Sequence, residues 1–549
     1  MPKVIVLGGG VAGLSAAHEL VERGFQVEVY EKRSTRYGGK ARSMPDTVTG
    51  LPGEHGFRFF PGFYKHLPDT MSRIPFGNNS FVVDNLVPTT QIEMAQENGK
   101  QIITPAKATW SLDTLMQAID NFIKTGLSVN ETIFFMKKIY QIVTSCPQRR
   151  LAQYELIAWW DFIDANNQSP QYQKILGEGL TRSLVAMQAQ VASTRTVGDI
   201  LVQLMMDSAN PDPSMQTDRV LNGPTNDVWL SPWIEYLQGR GVRMVLNSAV
   251  QDFQISGQEI TGAVVNVGGN PTTVQGDYYV AAMPVERLTA IVAANPNLAT
   301  ASPSLARIQN LKTSWMNGIQ FYLKTDVPLD NGHCIYLDSA WALTSISQHQ
   351  FWPNTDLSKF DNGQVNGILS VDISDWFATG DQVVKKPAEQ CTADEVAQET
   401  WAQLKAHVNQ GSDVVLSDAN LVGYHLDPDI RYPRNSAGNA SDAEPLLINI
   451  ANSWQYRPNA TIEISNLFLA SDYVRTNTDL ATMEGANEAA RAAVNAILTA
   501  SGSNQPPCQI WPLTDPPSLQ SERDDDLNRF NQGLPWDEPF PWFLKIMSE

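Results

Sequence analysis

Met1-Pro-Lys-Val4-Ile-Val-Leu7-Gly8-Gly-Gly10-Val11-Ala12-Gly13-Leu-Ser opens the chain. A helical run follows, then Gln26-Val27-Glu-Val-Tyr30-Glu31-Lys32 and Arg36-Tyr-Gly38-Gly39-Lys40-Ala41-Arg42-Ser43. Val4 to Leu7 is a short apolar run of the kind that forms a buried parallel strand. Gly8, Gly10 and Gly13 carry the G-x-G-x-x-G spacing, with a helix directly behind them. The first glycine permits a tight turn and the second lets backbone approach a pyrophosphate. The third allows close helix–strand packing, so that phosphates face the positive end of the helix. A second strand, Val27 to Tyr30, ends at Glu31, whose carboxylate can accept hydrogen bonds from ribose hydroxyls. Strand, glycines, helix, strand and acid arrive in the order a nucleotide site requires. These residues alone leave FAD and NAD both open.

The composition narrows the class. A chain of 549 residues exceeds one ordinary core, so two or three intertwined domains are expected. Hydrophobic residues make up 42% and charged residues 18%, a well-packed soluble composition. No run reaches the roughly 18 apolar residues of a membrane span, and no export signal precedes the first strand, which predicts a cytoplasmic protein. A net charge of −19 repels nucleic acid and disfavours purely electrostatic docking on anionic lipid. Cys146, Cys334, Cys391 and Cys508 are scattered and predict buried thiols. The seven histidines show no metal-ligand spacing, and no metal is expected.

Further along, Gly53-Glu-His55-Gly56-Phe57-Arg58-Phe59-Phe60-Pro61-Gly62-Phe63-Tyr64-Lys-His66 is too rich in glycine and aromatics for a regular helix. It reads either as an aromatic core loop or as the lining of an apolar ligand site with Arg58 or His66 as polar handle. Helices are predicted over Ser111–Ile123, Glu131–Val143, a short stretch at Trp159-Trp160, and within Leu184–Met206. The Glu131–Val143 stripe reads as core, or as an apolar face beside Lys137 and Lys138 resting in a membrane interface. Strands are expected over 241–250, Glu259–Val267, Asp277–Ala282, Met316–Leu323 and Leu446–Ala451. Thr392 with Glu395 forms a capping box. Asn466 to Asp472 is a strand ending in a carboxylate, placed before the helix that Thr482-Met483 opens, where it can meet ribityl hydroxyls.

The expected architecture is α/β. A Rossmann-like nucleotide domain is assembled from 1–85, 220–300 and 455–500, with an inserted helical region at 86–219. A mixed-sheet substrate domain spans 301–454. Residues 501–549 form an acidic, Pro- and Trp-rich extension, poorly structured and docking its aromatics on the body.

Together these landmarks resemble the flavin amine oxidase and phytoene desaturase superfamily over about residues 3 to 500. The stretch Arg36 to Ser43 follows the nucleotide fold in the FAD enzymes of that group, so the resemblance implies FAD as cofactor. It further implies that Gly38 to Arg42, with Lys32 beside them, lie along the pyrophosphate, with Arg42 as its basic partner. Val250 would bracket adenine through its backbone, Ser471, Asp472, Thr482 and Met483 would follow the ribityl chain, and Gly56, Phe57 and Arg58 would also meet the cofactor. Within the superfamily the chain is most similar to plant and cyanobacterial phytoene and ζ-carotene desaturases. The carriers are Gly56-Phe57-Arg58-Phe59-Phe60-Pro61-Gly62-Phe63-Tyr64, Leu221-Asn-Gly-Pro-Thr-Asn-Asp227 and Ser471-Asp472-Tyr473. It departs from them where Arg58 replaces His, Pro61 replaces Phe and Ser471 replaces Gly.

The implied chemistry is hydride transfer from a C–H bond of a lipophilic, isoprenoid-like substrate to flavin N5. Arg58 is the candidate catalytic residue, and Phe59, Phe60, Tyr64 and Trp454 are expected along the substrate. Oxygen or a quinone would reoxidise the flavin, and peripheral membrane contact suits such a substrate. Amine oxidation is the rival, but many amine oxidases carry a lysine on the strand matching Met316–Leu323, where Gly318 stands with Lys312 upstream. A non-redox isoprenoid isomerase, a dehydroxylase and a scaffold without turnover are further alternatives, and the oligomeric state is left open.

Overall fold

Val4, Ile5, Val6 and Leu7 are fully excluded from solvent, because strand β1 (Lys3–Leu7) lies inside a five-stranded sheet. The computed structural model describes residues 1–549 except 98–99, 108–119, 122, 186, 209–217, 434–438 and 539–549. The sheet order is Arg243–Val245, β2 (Gln26–Tyr30), β1, Tyr278–Ala281 and Leu467–Leu469, with every pair parallel. Helix α1 (Val11–Glu22) links β1 to β2, and the helix Met483–Ala500 packs against α1, where Asn487 donates to Ser15. Strands adjacent in space are thus drawn from three separated stretches of chain. An antiparallel meander, Ser248–Ser256, Glu259–Val267 and Asn270–Val274, follows Arg243–Val245. All four cysteines are buried and free.

The second sheet has seven strands in the order Leu421–Leu426, Asn317–Leu323, Gly367–Ile373, Leu343–Ser347, Gly332–Tyr336, Gln91–Gln96 and Lys100–Pro105. All its pairs are antiparallel except Gln91–Gln96 with Gly332–Tyr336. The last two strands correct the reading of 86–219 as helical throughout. Ile92 and Met94 alternate with Glu93 and Ala95, which is strand periodicity, and they turn toward the cavity described below.

The helical layer holds Val129–Thr144, Pro147–Ala152, Trp159–Phe162 and Thr194–Ser208. The first begins with a complete capping box between Ser128 and Glu131. The Ser111–Ile123 reading lies largely outside the described residues. No helix among the described residues is long and apolar enough to cross a membrane. The apolar stripe of Val129–Thr144 points inward: Phe135, Ile139 and Val143 are buried and line the cavity.

The C-terminal extension is more ordered than expected. Gln520–Asn531 is a helix packed on Val129–Thr144. Asp526 fixes it by accepting from Arg149 Nε at 2.8 Å and from the Cys146 amide at 2.8 Å. Its aromatics do dock: Trp536 Nε1 donates to Thr144 Oγ1 at 3.2 Å, and Trp511 meets His66 edge-on. The residues after 538 lie outside the described part.

Glu93 gives the sheet a pH signature. Burial, with Asp330 beside it, pushes its carboxyl up to about 7, and Oε1 has no hydrogen-bond partner. A carboxyl raised above its unfolded value stabilises the fold fully below the unfolded pKa, and that contribution is lost as pH rises through the folded one. Glu93→Gln should therefore match the wild type below pH ~4.5 and exceed its stability by about 1–3 kcal/mol at pH ~8. Denaturant melts at the two pH values check this, and equal stability at both contradicts it.

Candidate active site

The turn between β1 and α1 is tight for a steric reason. Gly8 has φ +121°, and a Cβ there would stand 2.5 Å from the Ala282 carbonyl oxygen. A Cβ on Gly13 would lie 1.9 Å from the Gly8 oxygen, so α1 sits directly on the turn. Gly10 faces Gly39 backbone to backbone, and the Gly38 amide donates to Gly9 O at 2.8 Å. The N-cap Gly10 supplies no side-chain cap, so the first amides of α1 stay free for a ligand. At the end of β2, Glu31 Oε2 accepts from the Gly9 amide at 2.8 Å and Oε1 from Arg33 N at 2.9 Å. The Ser248 amide donates to Glu31 O at 2.7 Å, which brings the Val250 strand alongside. On the far side, Thr482 caps the helix Met483–Ala500 through Gly485 N.

These elements open into one cavity of about 1500 Å³. Its nucleotide-side lining holds Gly8, Gly10, Val11, Ala12, Glu31, Lys32, Gly38, Gly39, Lys40, Ala41 and Val250. Ser471, Asp472, Thr482 and Met483 follow, then Gly56, Phe57, Arg58, Phe59 and Tyr64. Beyond lies an apolar arm between the helices, with Phe135, Ile139, Val143, Ile200, Leu204 and Met205. The mixed sheet is its floor through Ile92, Met94, His333, Ile335, Thr344 and Asp372. The glycine backbone, a strand-end carboxylate and a helix N-terminus in one elongated groove fit an extended dinucleotide.

Four expected site residues stand off the lining. Gly13 acts through packing. Phe60 is fully buried against Trp229 at 5.7 Å between ring centroids. Trp454 lies among the guanidiniums of Arg195, Arg457 and Arg475, at 4.1, 5.4 and 5.3 Å from its ring centre. Arg42, expected at a pyrophosphate, is 1% exposed and ion-paired to Asp429 and to Glu444, the latter at 2.9 Å. Those two buried carboxylates already neutralise the guanidinium, and drawing it away would strand them as unpaired buried charges.

Several cavity groups escaped the sequence reading, Asp372 and His333 foremost. The legible sign for Asp372 was a single carboxylate within the apolar strand Gly367-Ile-Leu-Ser-Val-Asp372-Ile373. Burial lowers His333 to about 3, so its ring is neutral; it packs on Phe59 at 4.0 Å and Phe57 at 5.0 Å between centroids. Burial raises Glu54 to about 7 against the opposing charge of Arg58. Arg58 itself donates to Lys40 O at 3.0 Å and to Ala41 O at 3.2 Å, which ties the aromatic loop to the glycine stretch. Although burial opposes it, the His55 partner holds Asp427 down to about 2. Ligand atoms of His55, Asp427 and Asp429 lie within 4.8 Å of one another, but Asp429 is already bridged by Arg33 and Arg42.

At Gly318 the backbone of the strand Asn317–Leu323 touches that of the aromatic loop. Its amide donates to His55 O at 2.7 Å, and a Cβ would stand 2.7 Å from Gly56 Cα. Lys312 is exposed at the start of the short strand Lys312–Ser314 and does not border the cavity, which the strand reaches at Ser314.

The profile of the family described as flavin containing amine oxidoreductase matches residues 11–498. The chain is 23% identical over 526 residues to a zeta-carotene desaturase of Synechocystis sp., covering 90% of this chain and 97% of that protein. It is 21% identical to a 15-cis-phytoene desaturase of Glycine max, over 90% of this chain and 79% of the other. In fold it is similar to cyclohexylamine oxidase from Brevibacterium oxydans, with a TM-score of 0.57 at 13% identity, covering 92% of this chain and 100% of that one.

Proposed function

The chain belongs to the flavin containing amine oxidoreductase family, and on that premise we propose that it is an FAD-dependent dehydrogenase that desaturates C–H bonds of a lipophilic, isoprenoid-like substrate. One observation carries the reading: the groove of the glycine turn runs without a break into an arm walled by Phe135, Ile139, Val143, Leu204 and Met205. A small charged amine would lose its hydration against those apolar walls, whereas a long hydrocarbon would gain by burial there. The contact of Gly318 with Gly56 supports it further, because that position has no room for a lysine.

Bound against the glycine turn, the flavin would supply the hydride acceptor. In this reading the α1 amides meet the pyrophosphate, Glu31 the adenosine ribose, and Asp472 the ribityl chain. Phe57, Phe59 and neutral His333 form a dry wall that can face allylic cation character without donating a charge. The helices orient the chain of the substrate, so that one C–H bond is presented repeatedly in the same geometry. Oxygen or a quinone completes the cycle. The two desaturases to which the chain is similar support this substrate class.

Anaerobic mixing of the flavin-loaded protein with phytoene, ζ-carotene, putrescine and cyclohexylamine tests the proposal. Bleaching of the flavin by a polyene and by neither amine is the expected result. Bleaching by an amine alone overturns it.

A further inference from the structure

Removing two hydrogens from adjacent carbons as a hydride and a proton requires a place for the proton, and among the cavity carboxylates Asp372 stands on the sheet floor against the aromatic loop. Asp372, on the strand Gly367–Ile373, lines the cavity beside Gly56. Its cross-strand partners are Gly318 and Thr344, and residues directly opposite in an antiparallel pair share a face. Thr344 borders the cavity with it. The side chain is 8% exposed, and Oδ1 has no hydrogen-bond partner. A Cβ on Gly56 would stand 2.6 Å from Oδ1, so glycine at 56 leaves the carboxylate its space. The charged groups facing it are Arg58 and His55, both on the aromatic loop.

We propose that Asp372 is the proton acceptor of the dehydrogenation, taking the proton from the carbon next to the one that gives up its hydride. The step balances: two C–H bonds break and a C=C bond forms. A flavin held in the groove would supply the two-electron acceptor for the hydride, and the Asp372 carboxylate takes the proton and becomes a carboxylic acid. This rests on the proposed desaturase reading. Burial, partly opposed by Arg58 and His55, raises Asp372 to about 7, so the carboxylate is available near neutrality and holds a proton once it has one. His333, the other titratable group of the floor, is held neutral and too weakly basic for the task.

The test uses flavin-loaded wild type, Asp372→Asn and Asp372→Glu, with phytoene and ζ-carotene as probes. A pH titration of the bound-flavin spectrum should show a transition near pH ~7 in the wild type that Asp372→Asn lacks. Polyene-driven bleaching should slow by at least about 100-fold in Asp372→Asn and recover in part in Asp372→Glu, with reduction by dithionite unchanged in all three. Spectra that titrate alike in wild type and Asp372→Asn, or a bleaching rate within about threefold of wild type, overturn the assignment while leaving the desaturase reading intact. A wild type bleached by neither polyene overturns that reading, and the role of Asp372 with it.

Discussion

Gly13→Val is expected to yield a protein without flavin. A single Cβ at this position would already stand 1.9 Å from the Gly8 carbonyl oxygen and 3.0 Å from its carbon, and Val6 Cγ1 would be only 3.3 Å away. Gly8 cannot retreat, because it is wedged against Ala282 O at φ +121°. Helix α1 must therefore lift off β1, which moves the N-terminal amides out of the groove. Overpacking of this kind typically costs about 1–3 kcal/mol, and here both faces of the contact are backbone and cannot rotate aside. Cofactor retention should fall by at least about 100-fold, read as flavin absorbance per chain after gel filtration. Gly10→Ala separates the two causes. Its Cβ meets nothing closer than Gly39 Cα at 3.6 Å, so that variant should keep its melting temperature while binding flavin more weakly. Full flavin occupancy in Gly13→Val would contradict the proposed site.

Asp526→Ala should be the most damaging change in the C-terminal extension. Arg149 is fully buried, and Asp526 is its carboxylate partner. Truncating one member of a buried pair strands the other, a loss of about 3–5 kcal/mol. Arg149 would keep Gln153 Oε1 and Leu534 O, which solvate the guanidinium without neutralising it. The consequence reaches the cavity. Thr514, Pro516, Pro517, Ser518 and Leu519 edge it, held by the Arg150–Asp515 pair and by the two hydrogen bonds between Gln203 and Thr514. This rim lies past residue 498, where the family match ends. Thermal unfolding should show the loss, and limited proteolysis should nick 514–519 in the variant before the wild type. Asp526→Asn, which keeps an acceptor for the Cys146 amide, should lose less. A difference from wild type under about 1 kcal/mol in Asp526→Ala would show that the extension is not anchored through this pair.

The nucleotide half of the fold was legible because its constraints are local. Gly8, Gly10 and Gly13 have one steric job each, and the strand of Leu469 precedes Asp472 by only a few residues. The Thr392–Glu395 and Thr482 caps were equally readable, since a cap is a contact between near neighbours in sequence. What failed was long-range. Arg42 shows no sign in its own stretch that Asp429 and Glu444, some 400 positions away, will claim it. Phe60 and Phe59 differ by one position, yet one packs on Trp229 and the other lines the cavity, because the short strand they form turns them to opposite faces. Trp454 read as an aromatic wall, but Arg195 from the helical layer joins the nearby Arg457 and Arg475 over its ring. Gln91–Gln96 carried a local sign, its alternation and the following strand Lys100–Pro105; what its own stretch does not show is that Gly332–Tyr336 joins this hairpin to the mixed sheet. Asp372 lay in plain view as one carboxylate among aliphatics, and only the approach of Gly56 gives that oddity a use.

The central claim is that one cavity holds an FAD at its glycine end and a long apolar molecule in its helical arm. Mass spectrometry of the small molecules released when the purified protein is denatured tests it directly. One FAD per chain, with any co-purifying organic molecule drawn from the apolar lipids, is the predicted result. A protein that releases no flavin when purified, and takes up none when FAD is supplied, would contradict it.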